Sequence, residues 1–145
     1  NTDEGSYDVI VTGLCGSITS TPVLLTVNDN VVITVQPADL NKCEGTTATF
    51  TVTATGTGMT YQWRKNGSTL SDGGDISGAL SPILSISNIE SGDEGSYDVV
   101  ITGKCSDVTS SAVLLAVDQT ELYKDVFSSL GFSLFHISIL ETVYL

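Results

Sequence analysis

The feature that most constrains this chain is a repeat inside it. Residues 3–27 read DEGSYDVIVTGLCGSITSTPVLLTV, and residues 93–117 read DEGSYDVVITGKCSDVTSSAVLLAV. The two align without a gap at an offset of 90 residues, with about two thirds of positions identical. Several differences exchange similar side chains, such as Ile10 for Val100, Val11 for Ile101 and Ile18 for Val108. A period of that length is too long for a helical solenoid unit and suits one small β-domain. The second copy closes one unit, so the first is expected to close the unit before it. The 145 residues then divide into three parts. Residues 1–27 are expected to be the last two strands of a truncated preceding domain. Residues 28–118 form one complete domain, and residues 119–145 are a tail resembling neither. The chain reads as a piece of a tandem array.

Within the complete unit the hydrophobic pattern has period two. Val31 to Val35 suggest an edge strand that stops at Gln36-Pro37, because proline lacks the amide donor a ladder needs. Residues 47–54 alternate threonine with Ala48, Phe50, Val52 and Ala54, which puts one face in a core and the other in water. Tyr61 and Trp63 share a face of the next strand, and Asn66-Gly67 is a hairpin signal because both residues accept positive φ. Residues 71–78 read as loop. Leu84, Ile86 and Ile89 precede a turn at 91–95; Tyr97, Val99 and Ile101 then alternate inward, as do Val113, Leu115 and Val117. About seven short strands with turns every eight to twelve residues predict an all-β sandwich.

Charge removes whole classes of partner. Seventeen acidic residues against five basic ones give a formal net charge of −12. A nucleic-acid binder needs basic side chains to displace counterions, so nucleic acid is excluded as a partner. Anionic membrane surfaces are disfavoured for the same reason. In the tail, Leu122, Val126, Phe127 and Leu130 fall at helical spacing behind Thr120, a plausible N-cap. Residues 126–140 carry no formal charge, but about 15 residues are short for a bilayer span.

Trp63, the Leu84-x-Ile86 pair and Asp93-x-Gly95-x-Tyr97 resemble the immunoglobulin-like domain pattern over residues 28–118. The resemblance implies a Greek-key sandwich of about seven strands. Trp63 would be its core tryptophan on strand C, and Tyr97 the tyrosine-corner residue at the start of strand F. The inter-sheet cysteines usual in that fold would fall near Val52 and Val99, where this chain has two valines that can fill the space with apolar contact. With CEG before strand B and TGxC after strand F, the pattern is similar to the immunoglobulin-like tandem repeats of large surface and secreted proteins of bacteria, particularly Bacteroidota-type organisms. Residues 1–27 would be the F–G hairpin of a neighbour.

The cysteines are Cys15, Cys43 and Cys105. Cys15 and Cys105 are repeat-equivalent and lie in the turn between the last two strands; Cys43 precedes strand B. Nine residues separate Cys43 from Val52 and six separate Val99 from Cys105, in directions that lead to opposite ends of the sandwich. That argues against a bridge within the unit, since a disulfide needs Cα atoms within about 7 Å. In a head-to-tail array Cys43 would instead face the Cys105-equivalent of the following repeat. An inter-repeat bridge, an intradomain bridge and free thiols all stay open.

No catalytic set emerges. His136 lies in the tail, remote from any serine-rich loop with a matching acid. Asp93 and Glu94, like Asp3 and Glu4, are adjacent on a turn and point apart. Asp72-Gly-Gly-Asp75 lacks the ligand count of a calcium loop. No CxxC pair or His–Cys cluster suggests zinc, and no cofactor is expected. Arg64 and Lys65 read as a solvated hairpin tip. The expectation is a non-catalytic repeat, extracellular or on a cell surface, whose partners are neighbouring repeats. It would serve as a structural spacer or adhesion stalk. Two alternatives are a module binding a glycan or protein through the loops at 56–60 and 103–107, and an accessory domain of a secreted hydrolase. Fold alone does not choose among them.

Overall fold

In the computed structural model, residues 3–119 are described. The helix expected behind Thr120, and His136, lie outside the described residues. The N-terminal segment contributes four short strands: β1 (Gly5–Tyr7), β2 (Ile10–Gly13), β3 (Gly16–Thr19) and β4 (Val23–Leu25). The domain that follows begins with β5 (Val32–Val35), β6 (Leu40–Cys43), β7 (Ala48–Thr51) and β8 (Thr53–Thr55). It continues with β9 (Thr60–Lys65), β10 (Ser68–Thr69), β11 (Ile76–Ser77) and β12 (Ile83–Ile86), and closes with β13 (Gly95–Thr102), β14 (Asp107–Thr109) and β15 (Val113–Asp118).

Two layers enclose the core. One is the ladder β10-β9-β13-β15-β6, with β14 also on β13. The other is built from β11-β12-β7 and from the β5–β8 pair. This is the all-β sandwich expected from the strand pattern, in the immunoglobulin-like form that the resemblance implied. The first strand of the domain is split in a way that the pattern does not show. β5 lies antiparallel to β8, whereas β6 crosses to the other layer and runs parallel to β15. The break falls at Pro37, which has no donor for either ladder. The residues around it satisfy the strand they cross. Gln36 Oε1 accepts from Ser111 N at 2.9 Å, and Asp39 Oδ1 accepts from Leu114 N at 2.8 Å.

The core draws on both layers. Ala48, Phe50, Val52, Leu84 and Ile86 face Trp63, Tyr97, Val99 and Ile101, with Val113 and Leu115 completing the cluster. The alternation of residues 47–54 therefore puts apolar side chains inward, as expected. Phe50 stacks on Tyr97 with ring centroids 4.9 Å apart and lies 6.0 Å from Trp63. The Ser71–Gly78 stretch, expected as loop, contains β11, a two-residue strand on β12.

Residues 3–27 repeat the end of the domain pair by pair. Gly5↔Leu25, Ser6↔Leu24 and Tyr7↔Val23 reproduce Gly95↔Leu115, Ser96↔Leu114 and Tyr97↔Val113. Val11↔Ile18 reproduces Ile101↔Val108. Side-chain bonds follow the same offset. Tyr7 Oη donates to Asp3 O at 2.8 Å and Tyr97 Oη to Asp93 O at 2.7 Å. Val9 N donates to Ser20 Oγ and Val99 N to Ser110 Oγ, both at 3.0 Å. Val27 N donates to Glu4 at 3.1 Å and Val117 N to Glu94 at 2.9 Å. What differs is burial. Tyr97, Val99 and Val113 are 1 %, 0 % and 5 % exposed, but Tyr7, Val9 and Val23 are 53 %, 58 % and 68 % exposed. The backbone and its local bonds are the same; the opposing layer is present for one copy only.

Candidate functional site: the two ends of the domain

Of the residues singled out from sequence, Val52, Trp63, Leu84, Ile86, Tyr97 and Val99 fall into one interior cluster, Asp93 and Gly95 sit half-buried at its edge, and the cysteines are exposed. Trp63 is fully buried on β9, opposite Val99 in register, and its indole Nε1 donates to Ser81 O at 2.9 Å. Leu84 and Ile86 on β12 and Val52 beyond β7 line the facing layer. Val52 and Val99 are both buried in this cluster, so apolar packing occupies the positions where the fold commonly places a disulfide. Tyr97 is held at its tip by Asp93 O, and its phenol is pushed up to about 12 by burial first and by the Asp93 carboxylate second. Gly95 sits at φ +149, where a Cβ would lie 2.9 Å from the Asn66 side chain. That side chain accepts from Ser96 N, so glycine is what lets the β9–β10 turn dock on β13.

The tip of that hairpin is therefore not simply solvated. Asn66 and Gly67 have the positive φ values of a two-residue turn. Arg64 Nε and Nη2 each bond an oxygen of Asp98 at 2.7 Å, and hydrogen bonding to Asp98 raises the guanidinium pKa. Lys65 bonds Gly92 O and lies 4.0 Å from Asp93. Opposite charges at 64 and 98, in cross-strand register, were the signal for this contact.

Most of the carboxylates weighed for chemistry accept hydrogen bonds within the fold, chiefly from backbone amides. Asp93 Oδ2 accepts from Glu90 N and Glu94 Oε1 from Val117 N, 2.9 Å each, so they point apart as turn ligands. Asp72 Oδ1 accepts from Ala79 N at 2.7 Å, and Asp75 accepts from Ser87. Among the described residues no group of three His, Cys, Asp or Glu could hold a metal ion. No described helix is long and apolar enough to cross a membrane. A shallow depression of about 500 Å³ lies over Asn41, Ser91, Glu94 and Val117.

The distinctive chemistry sits at the two ends. At the incoming end, the loops at 56–60 and 103–107 grip the segment that leads into the domain. Asp29 N donates to Thr57 Oγ1 at 2.9 Å and Val31 N to Ser106 Oγ at 2.9 Å. Lys104 N donates to Thr57 O at 3.0 Å, tying the loops to each other. Gly103 is needed there, since a Cβ would lie 2.4 Å from Val31 Cγ2. Cys105 Sγ lies 3.6 Å from Asn28 O. At the outgoing end, Cys43 is the parallel register partner of Asp118, and Glu44 N donates to Asp118 O at 3.1 Å. Cys15, Cys43 and Cys105 are all free and exposed.

Cys43 and Cys105 of one domain cannot meet. Cys43 lies beside Asp118, three residues past Leu115, which pairs with Gly95 at the start of β13. Cys105 lies three residues beyond Thr102, the other end of β13. At about 3.3 Å per residue the separation is roughly 30 Å, far beyond the reach of a disulfide. The intradomain bridge, one of three alternatives from sequence, is ruled out.

Comparison with known proteins agrees with this architecture. The family model of the immunoglobulin I-set domain matches residues 31–117. Among solved structures, extracellular domains 3–5 of Drosophila OTK superpose with a TM-score of 0.63 at 26 % identity, over 81 % of this chain and 41 % of that one. A chimeric titin Z1Z2–Z1Z2 tandem gives 0.57 at 25 % identity, over 80 % and 65 %. Immunoglobulin domains 1–5 of Sidekick-1 give 0.58 at 22 % identity, over 81 % and 26 %. The chain thus spans less than two thirds of the length of each of these three structures. No curated protein sequence matches.

Proposed function

The chain belongs to the immunoglobulin I-set family, and from that premise we propose that it is a non-catalytic unit of a tandem array serving as a structural spacer or adhesion stalk on a surface or secreted protein. Residues 3–27 are, in this reading, the closing hairpin of the preceding unit. One observation carries it: the hairpin has the register and side-chain bonds of residues 93–117 but leaves exposed the face that the complete domain buries. Solved structures of similar fold are themselves multi-domain immunoglobulin segments, which supports the array. The CEG and TGxC pattern supports a bacterial surface setting. An extracellular location fits the surplus acid, which would keep neighbouring stalks soluble and mutually repelling.

The loops at 56–60 and 103–107, weighed from sequence as a glycan- or protein-binding end, make their contacts with the incoming segment. That favours a joint over an open ligand site. Small-angle scattering on chains with increasing numbers of residues 28–118 in series tests the spacer reading. A maximum dimension that grows linearly with each added copy supports it; compaction onto fewer, globular dimensions contradicts it. Specific retention of the single unit on a glycan array would favour the binding module instead.

A further inference from the structure

The 90-residue offset makes Asp118 and Asn28 the same position of the repeat, one leaving a unit and the other entering the next. Each has a cysteine beside it. Cys43 is the ladder partner of Asp118, and neighbouring strands lie about 4.8 Å apart. Cys105 places its sulfur 3.6 Å from the carbonyl oxygen of Asn28. At a joint between two units, the single linker residue is therefore flanked by Cys43 of the first unit and Cys105 of the second. Both cysteines thus border one linker position, which brings them to the same joint; the bond requires them on one side of that linker, with Cα atoms about 4.4–6.8 Å apart.

We propose that each joint of the array is closed by a disulfide between Cys43 of one unit and the Cys105-equivalent of the next. The proposal rests on the tandem reading. It accounts for the roughly 30 Å between the two cysteines of one domain: they serve two different joints. It also accounts for Cys15, which is the Cys105-equivalent of the preceding unit and belongs to a joint further up the array. The bond forms by exchange. The two thiols lose two protons and two electrons to a small-molecule or protein disulfide, which leaves as two thiols while one S–S bond forms across the joint. Such chemistry suits an oxidising, extracytoplasmic setting.

The test extends the chain at its N-terminus, placing a second copy of residues 28–92 directly ahead of Asp3, so that the hairpin completes a full unit. In one version Cys15 and the native Cys43 are changed to Ser, leaving only the added copy of Cys43 and the native Cys105. In a second version Cys15 and the added copy of Cys43 are changed to Ser, leaving the two cysteines of one domain. Both are equilibrated with a glutathione redox couple. The first is expected to lose two hydrogens in intact mass, resist alkylation as a monomer, and gain thermal stability that reductant removes. The second is expected to keep two alkylatable thiols. Free or glutathione-capped thiols in the first version, disulfide-linked dimers, or an internal bond in the second would each overturn the proposal. Hydrogen exchange at Tyr7, Val9 and Val11 in the same samples reads the array separately. Protected amides with unlinked thiols reject the disulfide and leave the array standing; unprotected amides reject both.

Discussion

Replacing Trp63 by Ala tests the core on which the domain is built. The side chain is fully buried between β9 and the facing layer, 6.0 Å from the Phe50 ring. A buried tryptophan removes about 150–250 Å² from water, worth about 4–6 kcal/mol at 25 cal/mol per Å². Alanine recovers a small part of this, and the surrounding side chains relax partly into the space. The indole also satisfies Ser81 O, whose loss of a partner adds about 1 kcal/mol. The expected net loss is about 3–5 kcal/mol. A domain of about 90 residues has roughly 5–13 kcal/mol in all, so the variant should sit near the edge of folding. Guanidinium titration followed by far-ultraviolet circular dichroism measures the difference. Trp63→Phe keeps most of the volume and should lose only about 1–2 kcal/mol, chiefly the Ser81 bond. A loss below about 1 kcal/mol for Trp63→Ala at unchanged m-value would refute the assignment of Trp63 to the core.

Alkali should act through Tyr97, whose phenol is pushed up to about 12 in the folded domain. The unfolded chain ionises first, so the stability this residue contributes is fully present below about pH 10 and lost between about 10 and 12, at most about 2–3 kcal/mol; Tyr97→Phe should flatten that slope in a pH series of denaturation midpoints. Gly78→Ala would place a Cβ 2.1 Å from Ile83 O at φ +81, and should cost roughly 2 kcal/mol or more in the same titration. Because Cys15, Cys43 and Cys105 are all exposed and unpaired, the native chain should react with a thiol reagent at all three without denaturant, and a slow or hidden thiol would contradict the placement. Gly103→Ala should loosen the grip of the loops on Val31, raising hydrogen exchange at Val31 and Lys104 ahead of the rest of the domain.

Local alternation explains why much of the fold was legible. Phe50, Val52, Trp63, Leu84, Ile86, Tyr97 and Val99 all occupy period-two positions whose inward face follows from the strand itself. Asp93, Gly95 and Tyr97 form a local turn whose bond from Tyr97 Oη to Asp93 O spans four residues. The less legible features depend on partners distant in sequence. Pro37 reads as a stop, but whether the chain then crosses to run parallel to β15 depends on donors at Ser111 and Leu114 that meet Gln36 and Asp39 only in three dimensions. Arg64, Lys65 and Asn66 look like a solvated tip until β13 and the turn before it bring Asp98, Ser96 and Gly92 against them. Gly103 resembles any turn glycine, because the Val31 methyl it accommodates is 72 residues earlier. The ends follow the same rule. The cysteines were visible as opposed in direction, but their shared linker position required both the register of Cys43 with Asp118 and the contact of Cys105 with Asn28.

The central claim is that residues 3–27 close a preceding unit of the same fold, and backbone hydrogen exchange tests it most directly. The chain is compared with the version carrying a second copy of residues 28–92 ahead of Asp3. If the account holds, the amides of Tyr7, Val9 and Val11 gain protection by a factor of at least about a thousand, the scale of a whole domain's stability. They should then approach the protection of Tyr97, Val99 and Ile101. Amides that exchange equally fast with and without the added residues would contradict it.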